Sequence, residues 1–575
     1  MAVIYVNVDA EGSNDGSSWQ NAYNSLQDAL NTAQTNDEIW IAKGVYKPTD
    51  NRNRNVSFNL KNSVDVYGGF AGDENNLNER NLERNETILS GNIGRQSRDD
   101  DNSYQIVTAI DLTEETRLDG VTIREGYSQN IPNDSNLRHY GAGLFANNSN
   151  LVLSNLNIAD NQAQFGGGIV IAGNNSQATL VNNIFTDNIA DRGGGGLLIS
   201  DAQIEVVNNL FTGNIANATG GGAYLWRGTG NFINNTFADN SSQEQGSAIT
   251  AENGANLTVN NSIIWGNNSE EPGDQVYNKL VVDRFEDSTV TVTNSLVENG
   301  FTGQNNLEAD PLFVYPTRGD YRLQSESPAI NVGNNNVITV DVDLSNNPRI
   351  INEIVDLGAY EFDPEIVYEI RGTNGNNNLR GTTGNDLILG LEGDDNINGR
   401  GGDDTIDGGP GNDTLNGAIG DDVLIGGPGR DILRGGTGND TLNGGTGNDT
   451  LNGGPGDDIL IGGPGNDLLI GGPGNDRFDF NSPEEGVNTI RDFDNGDNLI
   501  GIAVEGFGSG LAEGTLSPNQ FTLGRRASTE QERFIFNRNN GQLFFDPDGS
   551  GSEPQVQIAT LEDNASLTAR DFLLF

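Results

Sequence analysis

Acidic and apolar positions recur with a fixed period of nine residues between positions 384 and 478. Each unit carries a glycine, an aspartate two residues later and an apolar residue two residues after the aspartate. Glycine permits a tight turn, and the three residues after the aspartate leave room only for a short strand whose middle side chain points inward. Two such units close a flattened coil of eighteen residues, so each aspartate is expected to lie over the one eighteen positions later. These aspartates, called the aspartate ladder below, are Asp386, Asp395, Asp404, Asp413, Asp422, Asp431, Asp440, Asp449, Asp458, Asp467 and Asp476.

A looser period of 26 or 27 residues organises the chain from residue 1 to about 365. An apolar residue followed three positions later by Asn or Gly alternates with a glycine-rich turn that enters a strand. Short β-prone runs at this spacing predict a right-handed parallel β-helix with one coil per repeat. Larger gaps predict inserted loops at about 127–140 and 268–287, where a solenoid usually keeps its binding surface. The repeated pairs are Ile123/Gly126, Ile158/Asn161, Phe185/Asn188, Phe211/Asn214, Phe237/Asn240, Ile264/Asn267 and Leu296/Asn299.

The repeated Asn and Phe side chains invite a ligand-binding interpretation, but stacking explains them better. Asparagines at a β-helix corner usually satisfy one another and the turn backbone. We therefore expect Phe185, Phe211 and Phe237 to form a buried stack and the asparagines to form a structural row.

The first residues predict the closed end of the β-helix. Apolar residues within 25–33 are spaced for a short amphipathic helix, which would cover the open end of the stack. Residues 1–9 lack the basic region and the long apolar region of a signal peptide. Their pattern predicts a strand instead. A further strand is expected at 38–42.

Composition narrows the function classes. The 575 residues hold 31 Lys and Arg against 82 Asp and Glu, a formal net charge of −51, which argues against a nucleic-acid partner. The absence of cysteine excludes disulfides and thiolate chemistry. No run approaches eighteen apolar residues, so we expect no membrane span.

The nine-residue units resemble the repeat of RTX (haemolysin-type) proteins, Gly-Gly-x-Gly-x-Asp-x-apolar-x. The resemblance implies a parallel β-roll in which aspartate carboxylates and turn carbonyls bind Ca²⁺ between neighbouring turns. Carried over to this sequence, the whole aspartate ladder forms the metal site, in nine pairs from Asp386/Asp404 to Asp458/Asp476. Electrostatics agrees, because like charges about 5 Å apart repel by roughly 3 kcal/mol at an effective dielectric near 20, and a divalent cation removes that cost.

Four departures from the repeat are visible in the sequence. They are Asn377 in place of the first aspartate, Phe480 in place of the closing glycine, Ala418-Ile419 in one turn, and Arg430 before Asp431.

Motifs at both ends of 1–361 resemble bacterial pectin-lyase-like β-helix domains of the choice-of-anchor Q kind. They include Ser18-Trp19, the segment 39–48, Asp310-Pro-Leu-Phe and Asp356-Leu-Gly-Ala-Tyr-Glu. The resemblance implies a fold and a secreted setting, since that group has no single assigned activity.

Catalytic motifs of related β-helix enzymes are missing from the sequence. Secreted mannuronan C5-epimerases share the order of β-helix and RTX modules, but their Asp-Pro-His motif is absent, and so is the Gly-His-Gly of polygalacturonases. Asp99-Asp100-Asp101 is expected in a loop, and His139, the one histidine, is expected to be solvated. We therefore assign no catalytic residue.

A cluster of basic residues within 47–98 is a candidate patch for an acidic polysaccharide. Intervening acids favour a mixed solvated surface instead. The basic residues are Lys47, Arg52, Arg54, Lys61, Arg80, Arg84, Arg95 and Arg98.

The C-terminal region after the repeats predicts a small β cap. Its segments 488–493 and 496–500 resemble the strands that cap RTX rolls, and residues 569–575 resemble the uncleaved signal read by type I secretion systems. Asp546 and Asp548 begin a Gly/Ser-rich stretch that fits either a weak calcium loop or a hairpin turn.

The sequence thus predicts an all-β protein: a right-handed parallel β-helix (1–365), a calcium-binding parallel β-roll (366–480) and a C-terminal β cap with a secretion signal (481–575). The expected partners are calcium, the type I secretion machinery and an extracellular polysaccharide or cell surface, and the expected location is extracellular. Two functions remain open. One is a secreted surface or matrix module whose repeats fold on extracellular calcium; the alternative is a calcium-dependent polysaccharide lyase, hydrolase or epimerase.

Overall fold

The computed structural model describes residues 2–95, 99–129, 139–244, 246–269, 288–363, 367–493, 497–508, 510–562 and 565–575. The chain forms two compact units, Met1–Phe362 and Asp363–Phe575. The finer division into three domains, at 365 and 480, stays a prediction. Arg98 and most of the two predicted inserted loops lie outside the described residues.

The first unit is a parallel β-helix, which confirms the predicted all-β fold. Leu151 pairs with Ala178, and Ala178 pairs with Ile204, so successive coils stack in register at intervals of 27 and 26 residues. Each strand is short because a glycine-rich or Asn-containing corner follows it, and apolar side chains at alternate positions fill the interior. Four sheets of 10, 9, 7 and 6 described strands run along the stack.

Neighbouring strands within each of the four sheets come from successive coils. The first sheet holds Val3–Val6, Glu38–Ala42, Asp65–Phe70, Thr116–Asp119, Asn150–Ser154, Gln177–Val181, Gln203–Val207, Thr229–Ile233, Asn256–Asn260 and Thr289–Thr293. The second holds Gly44–Tyr46, Thr87–Ser90, Thr122–Arg124, Asn157–Ala159, Ile184–Thr186, Leu210–Thr212, Thr236–Ala238, Ile263–Trp265 and Leu296–Val297. The third holds Phe58–Asn59, Val107–Ile110, Leu144–Asn147, Ile169–Ala172, Leu197–Ser200, Ala223–Trp226 and Ile249–Glu252. The fourth holds Tyr127–Ser128, Gln162–Ala163, Ile189–Ala190, Ile215–Ala216, Ser241–Ser242 and Asn268–Ser269.

The predicted aromatic stack and asparagine row are both confirmed. Phe185, Phe211 and Phe237 are fully buried, with neighbouring ring centroids 4.4 Å apart and rings within 8° of parallel. The asparagine row donates from each amide to the side-chain oxygen one coil further on, at 2.9–3.0 Å, so its polar groups serve the fold. Its members are Asn161, Asn188, Asn214, Asn240 and Asn267.

The start of the stack is closed as predicted. The α-helix Leu26–Thr32 buries Leu26, Ala29 and Leu30, and Ser25 caps it by accepting a hydrogen bond from the Asp28 N–H. The 3₁₀ turn Leu77–Glu79 follows the third strand of the first sheet.

Residues 310–362 pack along the outer face of the second sheet, against Leu210, Ala238, Ile263 and Leu296 of successive coils. The hairpin Phe313–Tyr315/Asp320–Leu323 and the 3₁₀ turns Pro316–Arg318 and Asn335–Val337 lead to a buried charged cluster. Arg349 is 1% exposed, and its Nη2 donates to the carbonyls of Asp356 and Gly358 at 3.0 Å and lies 3.4 Å from Glu361 Oε2. Burial raises the pKa of Glu361 to about 8 although the guanidinium opposes the shift.

The second unit is a flattened roll of eighteen-residue coils between two sheets. Ile388 pairs with Ile406, and Ile406 pairs with Leu424, so alternate nine-residue units stack on one face. The inward apolar residue of each unit from Ile388 to Phe478 is at most 1% exposed. The described residues place 10 strands in the first roll sheet and 11 in the second.

Neighbouring strands of each roll sheet come from alternate nine-residue units, and the C-terminal cap adds the last strands. The first roll sheet holds Tyr368–Arg371, Asp386–Leu389, Thr405–Asp407, Val423–Pro428, Thr441–Thr446, Ile459–Ile461, Arg477–Phe480, Leu499–Ile502, Phe572–Leu574 and Gly514–Thr515. The second holds Asn378–Arg380, Asn396–Asn398, Thr414–Ile419, Ile432–Thr437, Thr450–Asn452, Leu468–Ile470, Asn488–Ile490, Val556–Leu561, Gln542–Phe545, Phe534–Asn537 and Phe521–Leu523. The short helix Val504–Phe507 and the 3₁₀ turns Pro518–Gln520 and Ala569–Asp571 lie beyond the repeats.

Candidate calcium centre

The aspartate ladder stacks in the nine pairs expected from its period. The backbone N–H of each aspartate from Asp386 to Asp458 donates to Oδ1 of the aspartate eighteen residues later, at 2.7–3.1 Å. All eleven residues are at most 3% exposed. The ladder therefore forms two buried rows, one beside each roll sheet.

Asparagines occupy the last position of both rows. The N–H of Asp467 donates to Asn488 Oδ1 at 3.0 Å and that of Asp476 to Asn498 Oδ1 at 2.6 Å. An amide oxygen accepts the same backbone bond as a carboxylate without adding charge, so each row finishes on a neutral residue. At the start, the N–H of Asn377 donates to Asp395 Oδ1 at 2.7 Å, whereas the other row begins with Asp386.

The second carboxylate oxygen of the ladder is left without a donor. In the part of the chain that the structure describes, Oδ2 of the ten aspartates from Asp395 to Asp476 is buried and accepts no hydrogen bond. A glycine five residues before each aspartate adjoins that oxygen; a Cβ at Gly426 would lie 2.7 Å from Asp431 Oδ2. A buried anionic oxygen with no donor needs a cation or a proton, and the missing Cβ leaves the oxygen room.

The pKa values of these carboxylates reflect the same lack of hydrogen-bond donors. Burial raises the pKa of Asp404 to about 8 and that of Asp458 to about 7, and neighbouring aspartates add to the rise. The bond from the preceding coil's N–H opposes it. Burial raises the pKa of seven further members to about 6, namely Asp413, Asp422, Asp431, Asp440, Asp449, Asp467 and Asp476.

The donor set is made of oxygen. Among the described residues, no three His, Cys, Asp or Glu side chains converge, so backbone carbonyls of the glycine turns must complete any metal shell around one or two carboxylates. Hard cations with flexible coordination, Ca²⁺ above all, prefer carboxylate and carbonyl ligands. The orphaned Oδ2 atoms therefore fit calcium.

A comparison with protein families agrees with this chemistry. A family model described as the RTX calcium-binding nonapeptide repeat matches residues 371–406, 389–424, 407–442, 425–460 and 452–482. Residues 371–482 are RTX repeats. Calcium is thus the ligand of this region, and the RTX repeats occupy the part of the roll that contains the whole aspartate ladder.

The remaining comparisons add little about the first unit. No curated protein matches the chain. The solved structure "Crystal structure of pectate lyase Pel9A" aligns with 13% identity and a TM-score of 0.35, covering 63% of this chain and 97% of that one. Pectin methylesterase PemA from Erwinia chrysanthemi aligns with 12% identity and a TM-score of 0.24, covering 53% of this chain and 92% of that one. Such low scores carry no inference, and the β-helix fold rests on its own strand pairing.

An outer row beside the ladder was not anticipated from the sequence. The residue before each ladder aspartate is Asn or Asp in every RTX unit except at Arg430, and its Oδ1 accepts the N–H one coil later, as Asp421 Oδ1 does from Asn439 at 2.7 Å. Arg430 offers no such oxygen to the next coil, because guanidinium is not an acceptor. The signal was present in the sequence as a second nine-residue period of Asn and Asp.

The other charged residues singled out in the sequence do not join the calcium centre. Asp101 lies 3.7 Å from Arg95, and the His139 ring packs on Tyr140 with centroids 4.4 Å apart. Arg80 pairs with Asp119 at 2.5 Å and Arg54 stacks on Tyr104, so part of the basic cluster serves the β-helix itself.

A cleft of about 760 Å³ lies on the outer face of the third sheet and was missed by sequence reasoning. Tyr140 and Phe165 stack with centroids 5.1 Å apart, Arg192 lies 5.5 Å from the Phe165 ring, and Trp226 lines the same space. The sequence signal was a run of three consecutive apolar residues, repeated in successive coils. A strand with one solvated face would instead alternate apolar and polar residues. The middle residues of these runs, Phe145, Val170, Leu198 and Tyr224, form one cluster, and Leu198 and Tyr224 line the cleft.

Proposed function

We propose that this chain is a secreted protein whose RTX repeats fold when they meet extracellular calcium, with the aspartate ladder supplying the carboxylate ligands. The observation that supports the proposal is the row of buried Oδ2 atoms without a donor. Where calcium is scarce, as in cytosol, these carboxylates oppose stacking; where it is plentiful, binding free energy becomes folding free energy.

The position of the C-terminal residues supports export before folding. The strand Phe572–Leu574 pairs in parallel with Leu499–Ile502, and Phe572 and Leu574 are at most 2% exposed. A transport signal in 569–575 would be accessible only in an unfolded roll. Among the described residues, no helix is long and apolar enough to cross a membrane.

The experiment compares the full chain in chelator and in calcium. We expect the second unit to be cleaved by protease in the absence of calcium and protected in millimolar calcium, while the β-helix unit resists in both. Far-UV circular dichroism should show the matching gain of β structure. A roll that is already protected after complete metal removal would refute the proposal.

Matched variants assign the ligands. Asp422→Asn and Asp431→Asn together should raise the calcium concentration at half-protection, whereas Glu392→Gln, an exposed carboxylate of the same roll, should leave it unchanged. Equal midpoints for all these proteins would remove the ladder as the ligand set.

For the β-helix we propose a binding role, carried by the cleft on the third sheet. Stacked aromatic faces beside an exposed arginine suit a saccharide ring with an acidic substituent, since pockets of this size fix ligands by apolar walls and a few polar groups. Tyr224 donates to Glu252 Oε2 at 2.9 Å at the base of the cleft, which adds a fixed polar group.

A glycan array with the full chain tests the binding role. Trp226→Ala and Arg192→Ala should each weaken any captured acidic glycan about tenfold or more, while Lys47→Ala on another face should not. The same proteins, screened for cleavage or epimerisation of acidic polysaccharides, separate a binding module from an enzyme. A glycan bound equally by all three variants would place the contact elsewhere.

A further inference from the structure

A second group of carboxylates lies outside the RTX repeats, in the hairpin loop 546–553. The loop joins the antiparallel strands Gln542–Phe545 and Val556–Leu561. Asp546 stands directly after the first strand, and its N–H donates to the Arg533 carbonyl at 2.8 Å. This bond fixes the start of the loop on the neighbouring strand.

The Asp546 carboxylate is buried without full compensation. The residue is 5% exposed, and in the described part of the chain its Oδ1 is buried and has no hydrogen-bond partner. A charge held like this costs several kcal/mol unless a cation joins it.

Asp548 presents a second oxygen in the same state. Its Oδ2 accepts the N–H groups of Ser552 and Glu553 at 2.8 and 3.1 Å, which fixes the side chain against the loop backbone. Its Oδ1 is buried and without a partner among the described residues. The Asp546 and Asp548 carboxyl groups adjoin each other, and hydrogen bonds from the Asp548 and Gly549 backbone hold the Asp546 side chain in the loop.

We infer that loop 546–553 binds one Ca²⁺ ion of its own, with Asp546 Oδ1 and Asp548 Oδ1 as its two carboxylate ligands. Loop carbonyls, serine hydroxyls and water are the remaining oxygen donors available to such an ion. The site differs from those of the RTX repeats because both carboxylates come from one loop two residues apart, and neither bonds to a neighbouring coil.

The site would act on the cap of the roll. The strand Val556–Leu561 that follows the loop pairs with Asn488–Ile490, which in turn covers Leu468–Ile470 of the last coils. An ion in the loop would hold the hairpin that presents this strand. Stacked coils depend on such a terminal cap, so filling the loop should lower the calcium needed by the whole roll.

The test counts calcium ions bound per full-length chain, by native mass spectrometry at saturating calcium. The double variant Asp546→Asn/Asp548→Asn should bind one ion fewer than the wild type, and Glu513→Gln, an exposed cap carboxylate, should bind the same number. The roll of the double variant should remain protected from protease at high calcium, with a midpoint shifted upward several-fold. An unchanged ion count would overturn the inference.

A second measurement guards against a variant that does not fold. Phe544→Trp, one strand position from the loop, should sensitise Tb³⁺ emission above that of the wild type. Asp548→Asn, a half-exposed position, should abolish this extra emission while the protease protection persists. Retained emission would overturn the assignment, and it would do so whether or not the RTX repeats use the ladder aspartates.

Discussion

Ten of the eleven ladder aspartates, Asp395 to Asp476, divide their two oxygens between two tasks, whereas Asp386 Oδ2 accepts from Thr382. Oδ1 accepts the N–H of the preceding coil, which neutral asparagines do equally well at the ends of the rows. Oδ2 has no donor, and it is the oxygen for which charge matters. Asn and Asp are therefore interchangeable for stacking but not for calcium.

Asp431→Asn separates these two tasks. The amide oxygen keeps the bond from the Asp413 N–H, while the buried anion is lost, so we expect a folded roll that needs several-fold more calcium. Calcium titration followed by circular dichroism measures the midpoint. A midpoint equal to the wild type would mean that this aspartate only stacks.

Arg430→Asn should repair the outer row. The Arg430 N–H already bonds Asn412 Oδ1 at 3.1 Å, and an asparagine there would return an acceptor to the next coil. One added, solvent-accessible hydrogen bond predicts a gain of about 0.5–1.5 kcal/mol in the calcium-loaded roll. Urea unfolding in calcium measures it, with Arg434→Asn on the strand as the control; equal effects of both substitutions would contradict the repair.

The ladder should also respond to pH. An aspartate has a pKa of about 3.9 when unfolded, and burial raises that of Asp404 to about 8 and Asp458 to about 7. A raised folded pKa gives stability that is complete below about pH 4 and is lost as pH rises through about 6 to 8. Metal-depleted roll should thus be more stable at pH 5 than at pH 8.

Calcium competes with those protons for the same carboxylates, so the pH dependence of calcium-induced folding has the opposite sign. The calcium needed for half-folding should rise as the pH falls from 8 to 5. Far-UV circular dichroism of the metal-free roll and calcium titrations at both pH values check the pair of signs. A metal-free roll that is more stable at pH 8 would contradict the raised pKa values.

At the scale of elements, the turn geometry limits which glycines can change. Gly426 must leave space for the Asp431 carboxylate and the Gly444 carbonyl, since a Cβ would meet them at 2.7 and 2.5 Å. Gly375, in the degenerate first coil, has open space around it. Adding a methyl group should therefore cost much more at Gly426 than at Gly375.

Gly426→Ala should displace the Asp431 side chain and raise the calcium midpoint about tenfold or more, whereas Gly375→Ala should be nearly neutral. Circular dichroism against calcium compares the two variants directly. Similar midpoints would show that the roll relaxes around the added methyl group.

Much of the architecture could be predicted because it repeats. The repeat period, the inward apolar residue and the turn glycine together determine the coil. The stack of Phe185, Phe211 and Phe237 follows from one repeated position. A second asparagine row, Asn183, Asn209 and Asn235, bonds at 2.8–3.1 Å and was missed. Each of its members follows another asparagine, so sequence alone did not show which of the two points inward.

The buried cluster at Arg349 escaped prediction for a different reason. It joins residues of a segment that lies outside the repeats, as when Arg349 meets Glu361. A repeat predicts what lies above and below a residue in the stack. It does not predict what an irregular segment places beside that residue.

At the scale of the whole molecule, two independent devices stabilise the two units. We propose that the roll folds on calcium, whereas the first unit holds the buried Arg349 cluster in a segment that packs outside its second sheet. We expect Arg349→Met to lower the free energy of unfolding of the first unit by about 3–5 kcal/mol, because the buried carboxyl groups of Asp343, Asp356 and Glu361 would lose the cation they share.

The four tryptophans, all within residues 19–265, report that unfolding selectively. Urea denaturation in chelator with tryptophan fluorescence measures it, and Arg318→Met, exposed in the same segment, is the control. An effect below 1 kcal/mol would show that the cluster tolerates loss of its cation.

The buried bonds of the ladder all point the same way along the chain. Each coil gives its aspartate N–H to the coil that follows, so a coil is complete only once its successor has arrived, and Asn488 and Asn498 are the acceptors that end the series. The roll therefore has a growing end and a finished end. Shortening it from the first coil, in steps of eighteen residues, leaves every remaining ladder aspartate N–H bonded, whereas removing the last coils leaves buried aspartate N–H groups without an acceptor at whatever length the roll is cut.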